Sequence, residues 1–252
     1  MRKFLLATLA AAIASGMACP ALRAEDKDPR AILSKAIKAL GGEDNLTRIK
    51  AVQVKARGKF YYGATDHDFT AEATMAGMDH VRSTFSSEIN GNKFDMVTII
   101  NDNQGWRSIM GSVDELVDDT LANEKRMVYL QVIPMTILPL LGNSFKVEAA
   151  GEEKINDQPA IGIKIKPPDG REFTLYFDKE SGLPVKQVAK IVDLMGIEST
   201  QETLYGGYKD FGGIKKATKN ETKRNGASFL DTEVTDFKLL DKVDLKVFAK
   251  PG

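Results

Sequence analysis

The chain of 252 residues carries 35 basic and 35 acidic side chains, two histidines and a single cysteine. One cysteine excludes a disulfide framework and a thiolate metal centre. Balanced charge excludes the basic surface that a nucleic-acid partner would need.

The first residues follow an export pattern. Arg2 and Lys3 precede the apolar run FLLATLAAAIASGMA, and small residues lead to ALRAED. This reads as a signal peptide over residues 1–24, cleaved after Ala24. The rival is cleavage before Cys19, leaving a lipid-anchored cysteine, but Gly16 stands where Leu is preferred and Pro20 follows the cysteine. Loss of Arg2, Lys3 and Arg23 turns the balanced 35 and 35 into a net charge of −3. The remainder, residues 25–252, is of a size that folds as one domain.

Asp28-Pro29 is an N-cap followed by proline at the first helical position. Ile32, Ala36, Ile37 and Leu40 recur at helical spacing, and Gly41-Gly42 ends the helix. From Val52 the period becomes two. Val52, Val54, Ala56, Gly58 and Phe60 alternate with Gln53, Lys55, Arg57 and Lys59, as in a strand with one wet face. Phe69 to Met75, Val81 to Phe85 and Phe94 to Ile100 continue the pattern, and NDNQG (Asn101 to Gly105) is a turn before Trp106. The acidic stretch Asp114 to Asp119, with Ser112 and Glu115 as a capping box, predicts a helix start with a solvated face.

Met127 to Leu141, MVYLQVIPMTILPLL, carries no charge and is interrupted by Pro134 and Pro139. It is too short to span a hydrocarbon core as a helix. Lacking a polar stripe, it is either fully buried or the wall of an apolar cavity. Strands resume at Phe145 to Ala149, Ile161 to Ile165, Phe173 to Phe177 and Leu183 to Val188, and more polar ones near 197–208, 214–224 and 228–239. The order predicts an α+β fold: a single curved antiparallel sheet, an open half-barrel, with helices covering its concave face.

Several stretches then resemble one family. They are ALGGEDNLTRIKAV, INDQPAIGIKI, EFTLYFDKESGLPVKQV and the closing VDLKVFAKP, of which LYFDKESGLPVK is the most specific. The chain resembles the LolA/LolB-like superfamily of periplasmic lipoprotein-carrier and lipoprotein-sorting proteins. The resemblance implies a half-barrel whose apolar concave face receives acyl chains, with Met127 to Leu141 as part of a lid. It also implies an arginine that holds the lid shut, for which Arg57 is the candidate. The slight acidity departs from the carriers of that family, which tend to be basic.

On this reading Val54, Phe60, Met75, Phe85 and Met96 face Leu130, Ile133 and Ile137 across a lipid-binding cavity. Met127 and Met135 supply adaptable thioether surface. A dry core remains the other outcome for two facing apolar layers. The partners implied are lipid or lipoprotein acyl chains and envelope lipoproteins, with membrane contact transient at most, and a monomer. No cofactor, metal or catalytic residue is expected. His67 and His80 sit in no ligand spacing and read as polar loop residues; a hydrolase would need one of them beside a nucleophile. Trp106 is strand packing or a cavity wall. The alternative function is an envelope scaffold or stress sensor that uses the same fold to recognise a protein.

Overall fold

A computed structural model describes residues 28–63 and 65–251; the expected signal peptide and Cys19 lie outside them. Helix α1 (Pro29–Leu40) and the short α2 (Glu43–Leu46) are followed by strands β1 (Ala51–Tyr62), β2 (Thr65–Ala76), β3 (His80–Ile89), β4 (Asn92–Asn101), β5 (Gln104–Ile109) and β6 (Ser112–Glu115). Helix α3 (Asp118–Thr136) and a 3-10 turn (Leu138–Leu141) lead to β7 (Lys146–Ile155), β8 (Gln158–Lys166), β9 (Phe173–Asp178), β10 (Pro184–Val192) and β11 (Glu198–Gly206). An excursion through β12 (Lys209–Asp210) and β13 (Lys215–Lys216) precedes β14 (Lys219–Arg224), β15 (Ala227–Leu240) and a 3-10 turn at Leu245–Phe248.

Among the described residues, thirteen strands form one open antiparallel sheet in the order β6-β5-β4-β3-β2-β1-β15-β14-β11-β10-β9-β8-β7. Only the β1–β15 pairing brings a distant segment back; Val54 lies opposite Phe237 there. The fold is the α+β, open curved sheet that the strand pattern predicts.

The N-terminal helix forms as its sequence dictates. Asp28 accepts a hydrogen bond from the Arg30 amide at 3.0 Å, satisfying one orphan donor of the first turn. Gly41 ends the helix at φ 133°. A Cβ there would lie 2.0 Å from the Gly213 carbonyl oxygen, so glycine is needed for both conformation and contact. Ile32, Leu33, Ala36, Ile37 and Leu40 pack on Ile161, Ile163, Ile165, Phe173, Leu175 and Phe177 of β8 and β9. Each large side chain so buried contributes about 2 kcal/mol. The opposite face of the sheet has its own small core, where Phe248 covers Ile99 and Trp106. Trp106 is therefore strand packing.

One predicted helix start is corrected. Ser112 and Glu115 lie in β6, with Glu115 opposite Trp106, because Met110 and Gly111 both adopt positive φ and reverse the chain into a hairpin. Helix α3 begins at Asp118 with Val117 as its N-cap. The Val117 amide donates to the Thr120 hydroxyl oxygen at 3.0 Å, and that hydroxyl donates to the Val117 carbonyl at 2.6 Å.

Candidate functional site: the concave face

The second half of helix α3, from Met127, lacks a polar stripe because it is wedged into the concave face and buries two sides. Leu130, Ile133 and Ile137 join α1 and strands β8 to β10 in one cluster. Val128, Val132 and Met135 meet Val52, Met75, Val81, Ile100 and Phe237 in a second. At 100° per residue these two sets fall on different sides of one helix. The expected partners are thereby corrected. Met75 faces Val128, Val132 and Met135, whereas Leu130, Ile133 and Ile137 turn toward β8–β10. Ile133 and Ile137 are both 0% exposed, and Met127 is half-buried against the same cluster as Leu130. Pro134 sits inside the helix, and the β-branched Ile137 takes a left-handed conformation at φ 62°, a strained one for such a residue.

Polar groups fix the helix in place. The Arg126 guanidinium, 0% exposed, donates to the carbonyls of Lys190 at 2.9 Å and Glu172 at 3.0 Å, and to that of Arg171. Asp169 lies 3.7 Å away, and burial pushes the guanidinium below its ordinary pKa. Asn123 donates to the Val192 carbonyl at 2.8 Å, and Gln187 to that of Leu130 at 3.2 Å. On the other side Arg107 of β5 pairs with Glu124, whose carboxyl is pushed up by burial against the opposing pull of Arg107.

Beyond the two clusters the concave face is open. Strand alternation places Val54, Ala56, Gly58 and Phe60 on the side of buried Val52. The register aligns Ala56 with Ala71, Ala71 with Phe85, and Phe85 with Met96. Val54, Phe60, Phe85, Phe94, Met96 and Phe229 are half-buried. Phe85 has its ring centroid 5.6 Å from Phe60, 5.1 Å from Phe69 and 6.2 Å from Phe94. Phe60 meets Phe229 edge-on at 5.6 Å, and the Arg224 guanidinium lies 3.5 Å over the Phe229 ring. No ring of this belt belongs to a cluster packed by α1 or α3.

The other singled-out residues lie elsewhere. Arg57 alternates to the outer face, 67% exposed, and pairs with Glu233 at 3.1 Å. It does not hydrogen-bond α3; Arg126 of α3 itself, with Arg107 and Arg171, makes the guanidinium contacts that hold that helix. His67 and His80 lie in strands β2 and β3, not in loops. His67 is 3.0 Å from the Thr65 hydroxyl, and His80 is 3.6 Å from Asp102. Among the described residues no cluster of three His, Cys, Asp or Glu could hold a metal ion. Sequence reading missed Phe94 and Phe229 in the belt, although Phe94 is in phase with Met96. It also missed Arg126, which carried no signal beyond standing next to the uncharged run.

No protein-family model and no curated protein matches the chain. Solved structures do. A LolA superfamily protein from Nitrosomonas europaea aligns at TM-score 0.57 and 12% identity, over 88% of this chain and 97% of that one. A DUF1329 family protein from Desulfovibrio piger aligns at 0.54 and 12%, over 87% and 96%. A putative outer membrane lipoprotein-sorting protein domain from Vibrio parahaemolyticus aligns at 0.52 and 8%, over 86% and 97%. At these identities the likeness is one of fold, and it spans nearly the whole of each neighbour: the chain has a LolA-like fold.

Proposed function

We propose that the protein is a non-catalytic periplasmic carrier that holds acyl chains of lipids or lipoproteins on the open part of its concave face. The observation carrying this reading is the belt of Phe60, Phe85, Phe94, Met96 and Phe229, half-buried on the sheet face that α1 and α3 occupy elsewhere. Small Ala56 and Ala71 leave room beside it. Each CH₂ removed from water contributes about 0.8 kcal/mol, so a long chain gains roughly 10 kcal/mol before ordering costs. Val54, Phe60, Phe85 and Met96 contact the ligand directly. Met75, Met127, Leu130, Ile133, Met135 and Ile137 line its path when α3 lifts, with the break at Pro134 and Ile137 as the hinge. Export follows from the signal peptide, and the mature chain begins at Glu25.

The test is uptake of a fluorescent fatty acid by purified protein. Wild type should bind it, and Phe85→Asn should bind it at least ten-fold more weakly, at a stability cost of only about 1–2 kcal/mol. A wild-type protein that takes up no fatty acid would end this reading.

A second reading rests on one hairpin tip. Between β10 and β11, Leu194, Met195 and Ile197 are 53%, 76% and 53% exposed. Asp193 accepts from the amides of Met195 and Ile197, each at 2.9 Å, so the tip is preformed. Apolar groups displayed in this way suit recognition of a protein by a scaffold or sensor. Met195→Asp would abolish partner binding and spare fatty-acid uptake if this were the function.

A further inference from the structure

The concave face is not uniformly apolar. One line of paired residues crosses six strands in the order Tyr205, Asn220, Thr232, Gly58, Phe69 and Ser87, reaching Phe94 on a seventh. The next line runs Gln187, Thr203, Thr222, Leu230 and Phe60. The phenylalanines Phe60, Phe69 and Phe94 fall on β1, β2 and β4, whereas Gln187, Thr203, Asn220 and Thr222 on β10, β11 and β14 are polar. Gly58 contributes no side chain at the boundary of the first line.

The polar half is sheltered and incompletely satisfied. Gln187, Thr203 and Thr222 are buried, and the two threonine hydroxyls hydrogen-bond at 3.2 Å. The side-chain carbonyl of Asn220 is buried without a partner, a cost of about 1–3 kcal/mol if nothing meets it. From Thr218 to Thr222 exposure alternates, so Thr218, Asn220 and Thr222 share the inner side of β14, and Lys216 comes from the separate β12–β13 hairpin just before it. The Lys216 ammonium lies 5.7 Å from the ring centroid of Phe237, which lines the concave face opposite Val54. Among the described residues no acid comes within 4 Å of it; the ion pairs formed involve other basic side chains. Burial of the amine pushes its pKa down to about 8, so it remains mostly protonated near neutral pH and gains from an anion.

Resting on the acyl-chain reading above, we infer that the ligand is a single-chain amphiphile with an anionic, hydroxyl-bearing head. Its acyl chain lies along the belt of Phe60, Phe85 and Phe94. Its anion meets Lys216, and its hydroxyl donates to Asn220. The division between the phenylalanines and the polar side chains sets the direction in which the chain enters; a neutral hydroxyl-bearing ligand leaves Lys216 unmet, and a purely hydrocarbon one leaves both polar groups unmet.

The probes are lysophosphatidylglycerol, a monoacylglycerol of the same chain length, and glycerol 3-phosphate, titrated against full-length mature protein with a fluorescent competitor. The lysolipid should bind about ten-fold more tightly than the monoacylglycerol, the size of one charge-assisted hydrogen bond. Lys216→Met should remove that preference and leave monoacylglycerol binding unchanged. Lys216→Arg should retain it, which guards against a folding defect in the first variant. Asn220→Leu should weaken both amphiphiles. Equal binding of lysolipid and monoacylglycerol by wild type overturns the anionic preference while leaving acyl binding intact. Competition by glycerol 3-phosphate alone as strong as by the lysolipid overturns the amphiphile. Binding of no acyl compound overturns the carrier reading and this one with it.

Discussion

The Arg126 guanidinium reaches the Lys190 carbonyl of β10 at 2.9 Å while fully buried. One side chain thereby ties the covering helix α3 to the sheet, and its other two donors take the carbonyls of Arg171 and Glu172. A neutral replacement leaves three part-buried acceptors without this donor. Arg126→Met should cost about 3–5 kcal/mol in urea unfolding, and amide exchange over 118–136 should accelerate. A variant as stable as wild type would mean that packing alone holds the helix.

Ile133 and Phe85 separate core from open face. Ile133→Asn buries an unpaired amide in the α1 cluster and should cost about 3–5 kcal/mol. Phe85→Asn removes a half-buried ring and should cost roughly 1–2 kcal/mol. Its main effect should be lost fatty-acid uptake. Equal destabilisation by the two changes would place the belt in the packed core and remove it from the site.

The start of α3 depends on Thr120 and not on Ser112. Thr120→Val removes both hydrogen bonds to Val117 and should lower stability by about 1 kcal/mol. Ser112→Ala, at an exposed position of the edge strand, should fall within about 0.5 kcal/mol of wild type. Matched urea curves decide the point, and a reversed order would restore the capping box at Ser112.

Lys216 gives stability a pH dependence of definite sign. Its folded pKa is about 8 against 10.5 for the ordinary amine. Below about pH 8 both folded and unfolded chains hold this proton, and the burial penalty is fully present. Between about 8 and 10.5 the unfolded chain holds one proton more, so stability rises with pH. Tyr205 and Tyr208, both pushed up by burial, act only at higher pH, where their retained protons favour the folded state less as the unfolded phenols ionise. Unfolding free energies at pH 7, 8.5 and 10 should climb for wild type relative to Lys216→Met. Parallel profiles would show that the amine is hydrated.

Export is checked on protein from the native cell. N-terminal mass analysis should find Glu25 as the first residue; a diacylglyceryl Cys19 would replace the diffusing carrier with a tethered one.

The secondary structure was legible where one period dominated. Val52 to Phe60 alternated cleanly because one side of β1 is wet and the other covered, and Asp28-Pro29 with Gly41-Gly42 bracketed α1 by local chemistry alone. The region from Met110 to Val117 misled because an S-x-x-E spacing suits a cap on sequence, while the Met110-Gly111 reversal and pairing to β5 make it a strand. The histidines misled for a related reason: acidic neighbours at His67 suggested a loop, yet exposed strand faces tolerate charge. Phe60, Phe85, Phe94 and Met96 of the candidate belt were in phase with strands that could be read; Phe229 was not. Arg57 was nominated over Arg126 because alternation reveals charge but not depth, and nothing local marks an arginine that will meet three carbonyls.

The sequence by itself determined the order of most elements, the inward residues of the strands with a clean period and the uncharged stretch that had to find cover, since these follow from side-chain periodicity and the cost of leaving apolar surface in water. Tertiary structure decided the rest. Which strands close on β1, how α3 divides the concave face, and how Lys216 comes to lie over Phe237 and Asn220 opposite Thr232 depend on contacts between segments far apart in the chain. No local period encodes those contacts, because their energy exists only once the sheet has brought the partners together.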